Sequence, residues 1–439
     1  MSKFIFSLLL ILFFFILSFT SLAYSYENNL ETDLEFKSIN TNNKEVIVPN
    51  STKNLFNIEK EFPILLNSSI YWLENNYYNN YFRYKFFPLF NQTTELTSFN
   101  FDVYYVRQLA FYWFLSKENL ANNKTLIYAK NYLNYSRNFV YEKNTSIFLE
   151  TKSSGFISEY KLCKSFIDFG NGTNLNMNAF YLLFLVEMHK QNLTSTQDIK
   201  NMNCIKNYLI SLESPNGAYY FYDLEHHRNF IDFYGTGEAL LALISYYNYV
   251  DNTDEELLLF LKNSFRTSFD LIYQGYVDHN FMSFFTWALQ FLREMYLIEN
   301  ELEWRLYTEI IIDEALKHRN EGICKNGPCI ISKASGEYAY FEGIAAVNFM
   351  YKNNKNLWWI EEKSVTNYLD LASKEISTWQ IKSLNDFNEK NNLELNTYPK
   401  NLVGSFCNSY HCQYTRIDFM QHALSAYLFL YKDNKIKLE

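Results

Sequence analysis

Blocks of Lys and Arg are missing from this chain, as are Pro/Gly/Ser-rich linkers and, for most of its length, the alternating patterns of strands. With 39 basic against 48 acidic residues the net charge is −9, and the pI is near 5.5. Nucleic acid is bound through clustered bases that neutralise phosphates, so that class of partner is excluded and a neutral or weakly charged one fits better. Only 12 Gly and 6 Pro occur in 439 residues. Nothing after about residue 60 reads as a linker, so one large domain over 61–439 is expected where the length alone allows two or three. A hydrophobic content of 48% with 19% aromatics supplies an ample core. The 40 Phe and 37 Tyr exceed what packing requires; they either line a cavity in part or reflect an AT-rich genome.

The N-terminus is the exception to the scarcity of apolar runs. Lys3 precedes an unbroken apolar stretch to Phe19, followed by Thr20-Ser21-Leu22-Ala23, whose small residues resemble a signal-peptidase site. The stretch is also close to the roughly 20 residues that span a bilayer. Cleaved signal and uncleaved signal anchor both stand for 1–23, and either directs the remainder out of the cytoplasm, secreted or membrane-anchored. Residues 24–60, rich in Asn, Glu and Lys, read as a polar tether. Sequons begin at Asn50, Asn67, Asn91, Asn123, Asn134, Asn144, Asn171 and Asn192, so a glycoprotein with a glycan-free C-terminal half is expected. The six Cys are even in number. Cys324 with Cys329 and Cys407 with Cys412 close short loops as disulfides, leaving Cys163 for Cys204, although other pairings stay open. A four-thiolate zinc site is the rival, but four residues between paired Cys is wider than the usual two.

A helical phrase recurs: a polar residue, then small and apolar residues, then aromatics. Its copies are GTGEALLALISYYNY at 235–249, YFEGIAAVNFMY at 340–351 and DFMQHALSAYLFLY at 418–431. Small residues let helices crowd together, as on the inner wall of a ring of hairpins, with the polar starts around one mouth. Helices are expected over 61–79, 103–117, 124–142, 177–191, 196–212, 237–249, 254–273, 284–298, 301–319, 341–351, 357–384 and 419–431. Short links at 252–253 and 299–300 alternate with long loops at 320–339 and 385–417, and short β-hairpins suit 155–157, 217–222 and 404–406.

This succession resembles the α/α toroid, the closed ring of about six helical hairpins found in six-hairpin glycosidases, polysaccharide lyases, sugar epimerases and terpenoid-cyclase-like proteins. The residues that carry the resemblance are GTGEALLAL at 235–243, DHNFMSFFTWALQFL at 278–292, YFEGIAA at 340–346, RIDFMQHALSAYLFL at 416–430 and YVRQLAFYWFL at 105–115. It implies an all-α fold but no single chemistry. The acidic DxDD and DDxxD clusters of the cyclases are absent, and the adjacent pair His411-Cys412 is in the reverse order to the Cys-His of the zinc-dependent lanthionine cyclases. The carbohydrate-active branch remains.

Glycosidic hydrolysis needs two carboxyl groups about 5–9.5 Å apart. Glu238 and Glu342 form the first candidate pair, with Asp278, Asp232 and Asp418 near other helix starts. A uronate lyase or epimerase would instead use His422 or Tyr340 to take a proton, with Arg107 and Arg416 offsetting the substrate carboxylate. Tyr234, Trp287 and Trp113 could stack on a sugar, whereas Trp358 and Trp359 read as outer anchors. For each acid the bland alternative is helix capping, and for His422, Arg107 and the aromatics it is core packing. Asp223, Glu225, His226 and His227 form a dense polar loop, but adjacent histidines rarely share an ion, so no metal and no cofactor are expected. The resulting expectation is an exported protein with a glycan-binding funnel, either a glycoside hydrolase or uronate lyase/epimerase, or a non-catalytic binder of a cell-envelope polysaccharide or partner.

Overall fold

A computed structural model describes residues 56–78, 80–82, 85–87, 92–94, 101–117, 123–151, 156–167, 174–221, 231–275, 280–322, 334–353, 360, 362–391, 402–408, 412 and 414–435. The expected signal segment, nearly all of the tether, Asp278, Cys324, Cys329, the polar loop from Asp223 to His227, Trp358 and Trp359 lie outside them. Among the described residues no helix is long and apolar enough to cross a membrane. The described sequon residues Asn67, Asn134 and Asn192 are exposed.

Thirteen α-helices and seven strands are described. In chain order they are α1 (Ile58–Asn76), β1 (Tyr77–Tyr78), β2 (Tyr81–Phe82), β3 (Lys85–Phe87), β4 (Gln92–Thr94), α2 (Phe101–Leu115), α3 (Asn123–Ser136), β5 (Val140–Thr151), β6 (Phe156–Ile167), α4 (Leu175–Lys190), α5 (Thr196–Ile210), α6 (Phe233–Tyr249), α7 (Glu255–Gly275), α8 (Asn280–Ile298), α9 (Leu302–Gly322), α10 (Ala334–Asn353), α11 (Glu362–Trp379), α12 (Leu384–Asn391), β7 (Thr415–Arg416) and α13 (Ile417–Lys435).

Packing sorts the helices into two rings. Helices α2, α4, α6, α8, α10 and α13 each pack on the next, and α13 returns to α2. Outside them α3 packs on α2, α5 on α4, α7 on α6, α9 on α8 and α11 on α10, while α1 packs on α13. The sixth hairpin therefore pairs the first described helix with the last, and the ring is an α/α toroid.

Sequence pattern distinguishes the two layers. Outer helix α7 buries Leu257, Leu258, Leu261, Phe265, Phe269 and Ile272 on one stripe, while Glu255, Glu256 and Asp270 face water. Inner helix α4 is buried on every side from Leu175 to Val186, as a helix needs when neighbours flank it and a core fills the ring. Close approach within the inner ring rests on glycine. A Cβ at Gly237 would lie 2.8 Å from Trp287 Cβ, and one at Gly343 would lie 3.1 Å from Thr286 Cα; both partners belong to α8.

Several expectations need correction. The helix expected to run to 142 stops at Ser136, passes through a 3₁₀ turn at Arg137–Phe139 and becomes β5. Strands β5 and β6 form one antiparallel hairpin twelve residues long, with Val140 opposite Ile167 and Thr151 opposite Phe156. Val140, Thr145, Ile147 and Thr151 suit a strand, but their partner lies across a turn, so periodicity within 124–142 does not reveal the pairing. The pieces at 217–222 and 404–406 make isolated bridges, Glu213 with Tyr219 and Gln380 with Phe406 among them, rather than hairpins. Strand β3 lies between β4 and β7, placing Arg416 opposite Lys85 at the entry to α13. The single helix expected over 357–384 is two. After Trp379 the chain leaves the helix, Ile381 N–H donates to Ser405 O at 3.0 Å, and Ser383 Oγ accepts from Asp386 N at 3.1 Å to start α12.

Cys407 and Cys412 form a disulfide, which removes both from any zinc site. Cys204 is buried and also disulfide-bonded, on a helix that packs against β6, the strand carrying Cys163.

Candidate active site

The inner helices begin at one end of the ring, and the connections that lead into them are the longer ones except at α8, which follows α7 after only residues 276–279. Trp287, in the third turn of α8, is buried inside the ring. Its ring lies 5.3 Å from Phe180 of α4, 5.9 Å from Tyr234 of α6, 6.2 Å from Trp113 of α2 and 5.8 Å from His422 of α13. Trp113 and His422, more than 300 positions apart, both reach Trp287 because the closed ring turns the inner faces of its helices toward one interior.

Two of the candidate acids are not where capping would put them. Asp232 caps α6, its Oδ1 accepting from Tyr234 N at 2.9 Å. Glu238 sits more than a turn further in and Glu342 more than two turns inside α10, so capping explains neither. Glu238 is fully buried, and neither carboxylate oxygen has a properly formed hydrogen bond. Burial and the nearby Asp232 push its pKa well above the ordinary value, against the opposing pull of Arg107 and Asn176. Burial also raises the pKa of Asp232, although the Gly235 and Tyr234 backbone amides and Asn176 favour its charged form.

Glu342 is buried in a different way, because both its oxygens are engaged. His422 Nδ1 lies 2.6 Å from Oε2, and Gln421 Nε2 donates to Oε1 at 3.2 Å. Commitment of Nδ1 to Glu342 makes Nε2 the nitrogen that can exchange a proton with a ligand. His422 retains a small side-chain exposure of 4%.

The third cluster is cationic. Asp418 at the start of α13 meets Arg107 Nη1 of α2 at 3.1 Å and accepts from Arg416 Nε at 2.8 Å, with a second contact from Arg416 Nη2. Burial alone would raise the Asp418 pKa, but Arg416, Arg107 and His422 outweigh it and hold the carboxyl well below the usual range. Asp418→Asn is expected to cost about 2 kcal/mol at pH 6, the loss of charge-assisted bonds. Because the folded-state pKa is depressed, this stabilisation is present above the unfolded value and is lost as pH falls. The gap between thermal melts of wild type and variant should therefore begin to close near pH 4 and keep narrowing as pH falls further.

Tyr234 and Tyr340 are half-buried at the same end. Burial raises the Tyr234 pKa, and its hydroxyl feels Arg107, Glu238 and Asp418. Tyr340 packs on Phe285 with ring centroids 5.0 Å apart. Of the residues read from sequence, the structure thus gathers Glu238, Asp232, Tyr234, Trp287, Glu342, His422, Arg107, Arg416 and Asp418 through direct or charge contacts, with Tyr340 on α10 beside them. Asn176 was not singled out. Asn176 opens α4, whose sequence LNMNAFYLLFLVEMHK has the same order of polar, small and aromatic residues as the other inner helices; that order was the available signal.

No protein-family model and no curated protein matches the chain. Solved structures do match along nearly its whole folded length. An alpha-mannanase of glycoside hydrolase family 76 from Bacteroides thetaiotaomicron aligns at 8% identity over 85% of this chain and 96% of that chain, with a TM-score of 0.52. An unsaturated glucuronyl hydrolase specific for heparin aligns at 10% identity over 86% of this chain and 99% of that chain, with a TM-score of 0.54. Cellobiose 2-epimerase from Bacillus thermoamylovorans aligns at 12% identity over 84% of this chain and 98% of that chain, with a TM-score of 0.51. Identities this low establish the architecture alone: the chain has the fold of an α/α toroid.

Proposed function

We propose that the chain is a carbohydrate-active enzyme whose site is the mouth at the N-terminal end of the inner ring, and that it moves protons on a sugar between Glu238 and His422. The observation that carries this reading is the contrast between the two buried glutamates. Glu238 is buried without a proper partner and its pKa is pushed up, as suits a general acid, whereas Glu342 is spent on orienting His422 and is better read as a positioning residue. The first pair read from sequence, Glu238 with Glu342, thereby becomes Glu238 with His422. Arg107, Arg416 and Asp418 would fix charge at the mouth, and Tyr234 and Tyr340 would line it. Fold neighbours named for hydrolysis of mannans, for an unsaturated glucuronyl substrate and for epimerisation of cellobiose support a sugar as substrate without deciding the reaction.

We further propose that the protein is exported. The 1–23 segment supports this, as does the Cys407–Cys412 disulfide, since such bonds persist in oxidising compartments.

The test is the full chain incubated in D₂O with a panel of neutral and uronate-bearing oligosaccharides, followed by NMR. New reducing ends identify a hydrolase. Deuterium at a carbon beside a carbonyl or carboxylate, with the glycosidic bonds intact, identifies an epimerase, and an unsaturated product identifies a lyase. Saturable binding with no chemistry on any sugar would leave a non-catalytic glycan binder and remove the enzymatic reading.

A further inference from the structure

The other end of the ring holds a cavity that none of the chemistry above uses. Its volume is about 130 Å³, and it lies among the C-terminal halves of α2, α4, α6, α8 and α13. A cavity of roughly 150 Å³ accommodates benzene, so this one has room for a small polyatomic group. Four cations line it, Lys117, Lys190, Arg293 and Lys432, against two carboxylates, Glu187 and Glu294.

Most of these charges already have partners. Lys190 pairs with Glu187 at 3.0 Å, Arg293 faces Asp433 at 3.6 Å and donates to Ala346 O, and Glu294 accepts from Asn248 at 2.9 Å. Lys117 differs. It is only 8% exposed, its Nζ donates to Ser425 Oγ at 3.0 Å, and it sits over the Trp113 ring at 4.1 Å and the Phe429 ring at 5.0 Å. No carboxylate among the described residues lies within ion-pair distance of it. A buried ammonium with three donors, one neutral acceptor and two aromatic faces is costly to keep charged, and an anion in the adjoining space would offset that cost.

We propose that this cavity is a binding site for a small oxyanion, the carboxylate or phosphate group of a ligand, seated on the Lys117 ammonium. The aromatic walls and Ser425 Oγ, which accepts from Lys117, position the ammonium. The cavity lies among the C-terminal halves of the inner helices, beyond the residues proposed to act on a sugar, with Trp113 touching Trp287 and the charge of Glu342 reaching Lys117 between the two.

Burial lowers the Lys117 pKa to about 8. Glu342 and Glu187 oppose that shift, and Lys432 and Lys190 reinforce it. Arg293 and Glu294 complete the charged groups facing the cavity. An anion should therefore bind better at pH 6.5 than at pH 10, where the amine is neutral.

The experiment is titration of the full chain with inorganic phosphate and, separately, acetate, at ionic strength matched with chloride, read by the fluorescence of Trp113 beside the ammonium and by the melting temperature. Expected is a saturable response to at least one oxyanion that chloride does not give. Phosphate alone points to a phosphorylated ligand and acetate alone to a carboxylate. Lys117→Met should weaken the response at least about tenfold, as loss of a charge-assisted contact does, while Ser425→Ala keeps the ammonium and retains most of it. A folded Lys117→Met protein with the wild-type titration curve overturns the proposal. So does a wild-type chain with no saturable response, or with the same affinity at pH 6.5 and pH 10; this last comparison needs no variant.

Discussion

Glu238→Gln is expected to lower turnover on the sugar substrate by about 10²–10⁴-fold, the range for loss of a general acid, while making the fold more stable at neutral pH. The two effects have one cause. Glu238 is fully buried without a well-formed hydrogen bond, so burial favours its protonated form in the folded chain, and the carboxyl ionises more readily once the chain unfolds. An acid whose pKa is raised on folding contributes most below its unfolded value, about 4.3, and the contribution fades as pH rises toward the folded value. Glutamine keeps the shape, never ionises and removes that slope. The melting temperature of wild type should fall relative to the variant between pH 5 and pH 8, with turnover lost throughout. Equal turnover in the two proteins would end the role assigned to Glu238. Equal pH slopes would show that its carboxyl titrates normally.

How much could be read beforehand depends on whether the controlling interaction is local. The inner helices were legible because crowding needs small residues at fixed places, and Gly237 and Gly343 meet the α8 backbone and Trp287 where the recurring phrase puts them. Outer helices such as α7 carry a plain apolar stripe. The β5–β6 hairpin was missed because strand identity there comes from a partner across the turn. The break before α12 was missed because Gln380 leaves helical geometry to bond α1, more than 300 positions away. For the site, the residue types were legible and their assignments were not. Nothing local in EGIAA says that Glu342 will meet His422 of α13, or that Glu238 will meet no proper partner. Lys117 is one more Lys near a helix end in the sequence, and only ring closure turns it into a buried cation.

Ring closure itself rests on a short stretch of backbone, and Gly404→Ala is expected to cost about 3–5 kcal/mol, the upper range for single substitutions. Helix α1 completes the sixth hairpin by packing on α13, and it is fastened by the segment that follows α12. Gln380 Nε2 donates to Leu65 O at 2.9 Å and to Gly404 O at 3.2 Å, and Ser69 Oγ donates to Gly404 O at 3.2 Å. Gly404 N–H donates to Ile381 O at 2.7 Å. The residue adopts φ of +88°, and a Cβ there would lie 1.8 Å from Ser68 O and 3.1 Å from Trp72 Cβ. Two penalties therefore combine: the left-handed backbone disfavours any L side chain, and the overlap with a helical carbonyl can be relieved only by moving α1 off the segment that holds it. The unfolded state gains nothing comparable, since stiffening the chain by replacing Gly with Ala is worth under about 1 kcal/mol. Urea denaturation should show the loss as a lower midpoint. If α1 detaches first, hydrogen exchange should rise in α1 and along α13 before it rises elsewhere in the ring. A midpoint within about 1 kcal/mol of wild type would mean that α1 can shift at little cost, and that closure rests on the packing of α1 against α13 rather than on the Gly404 contact.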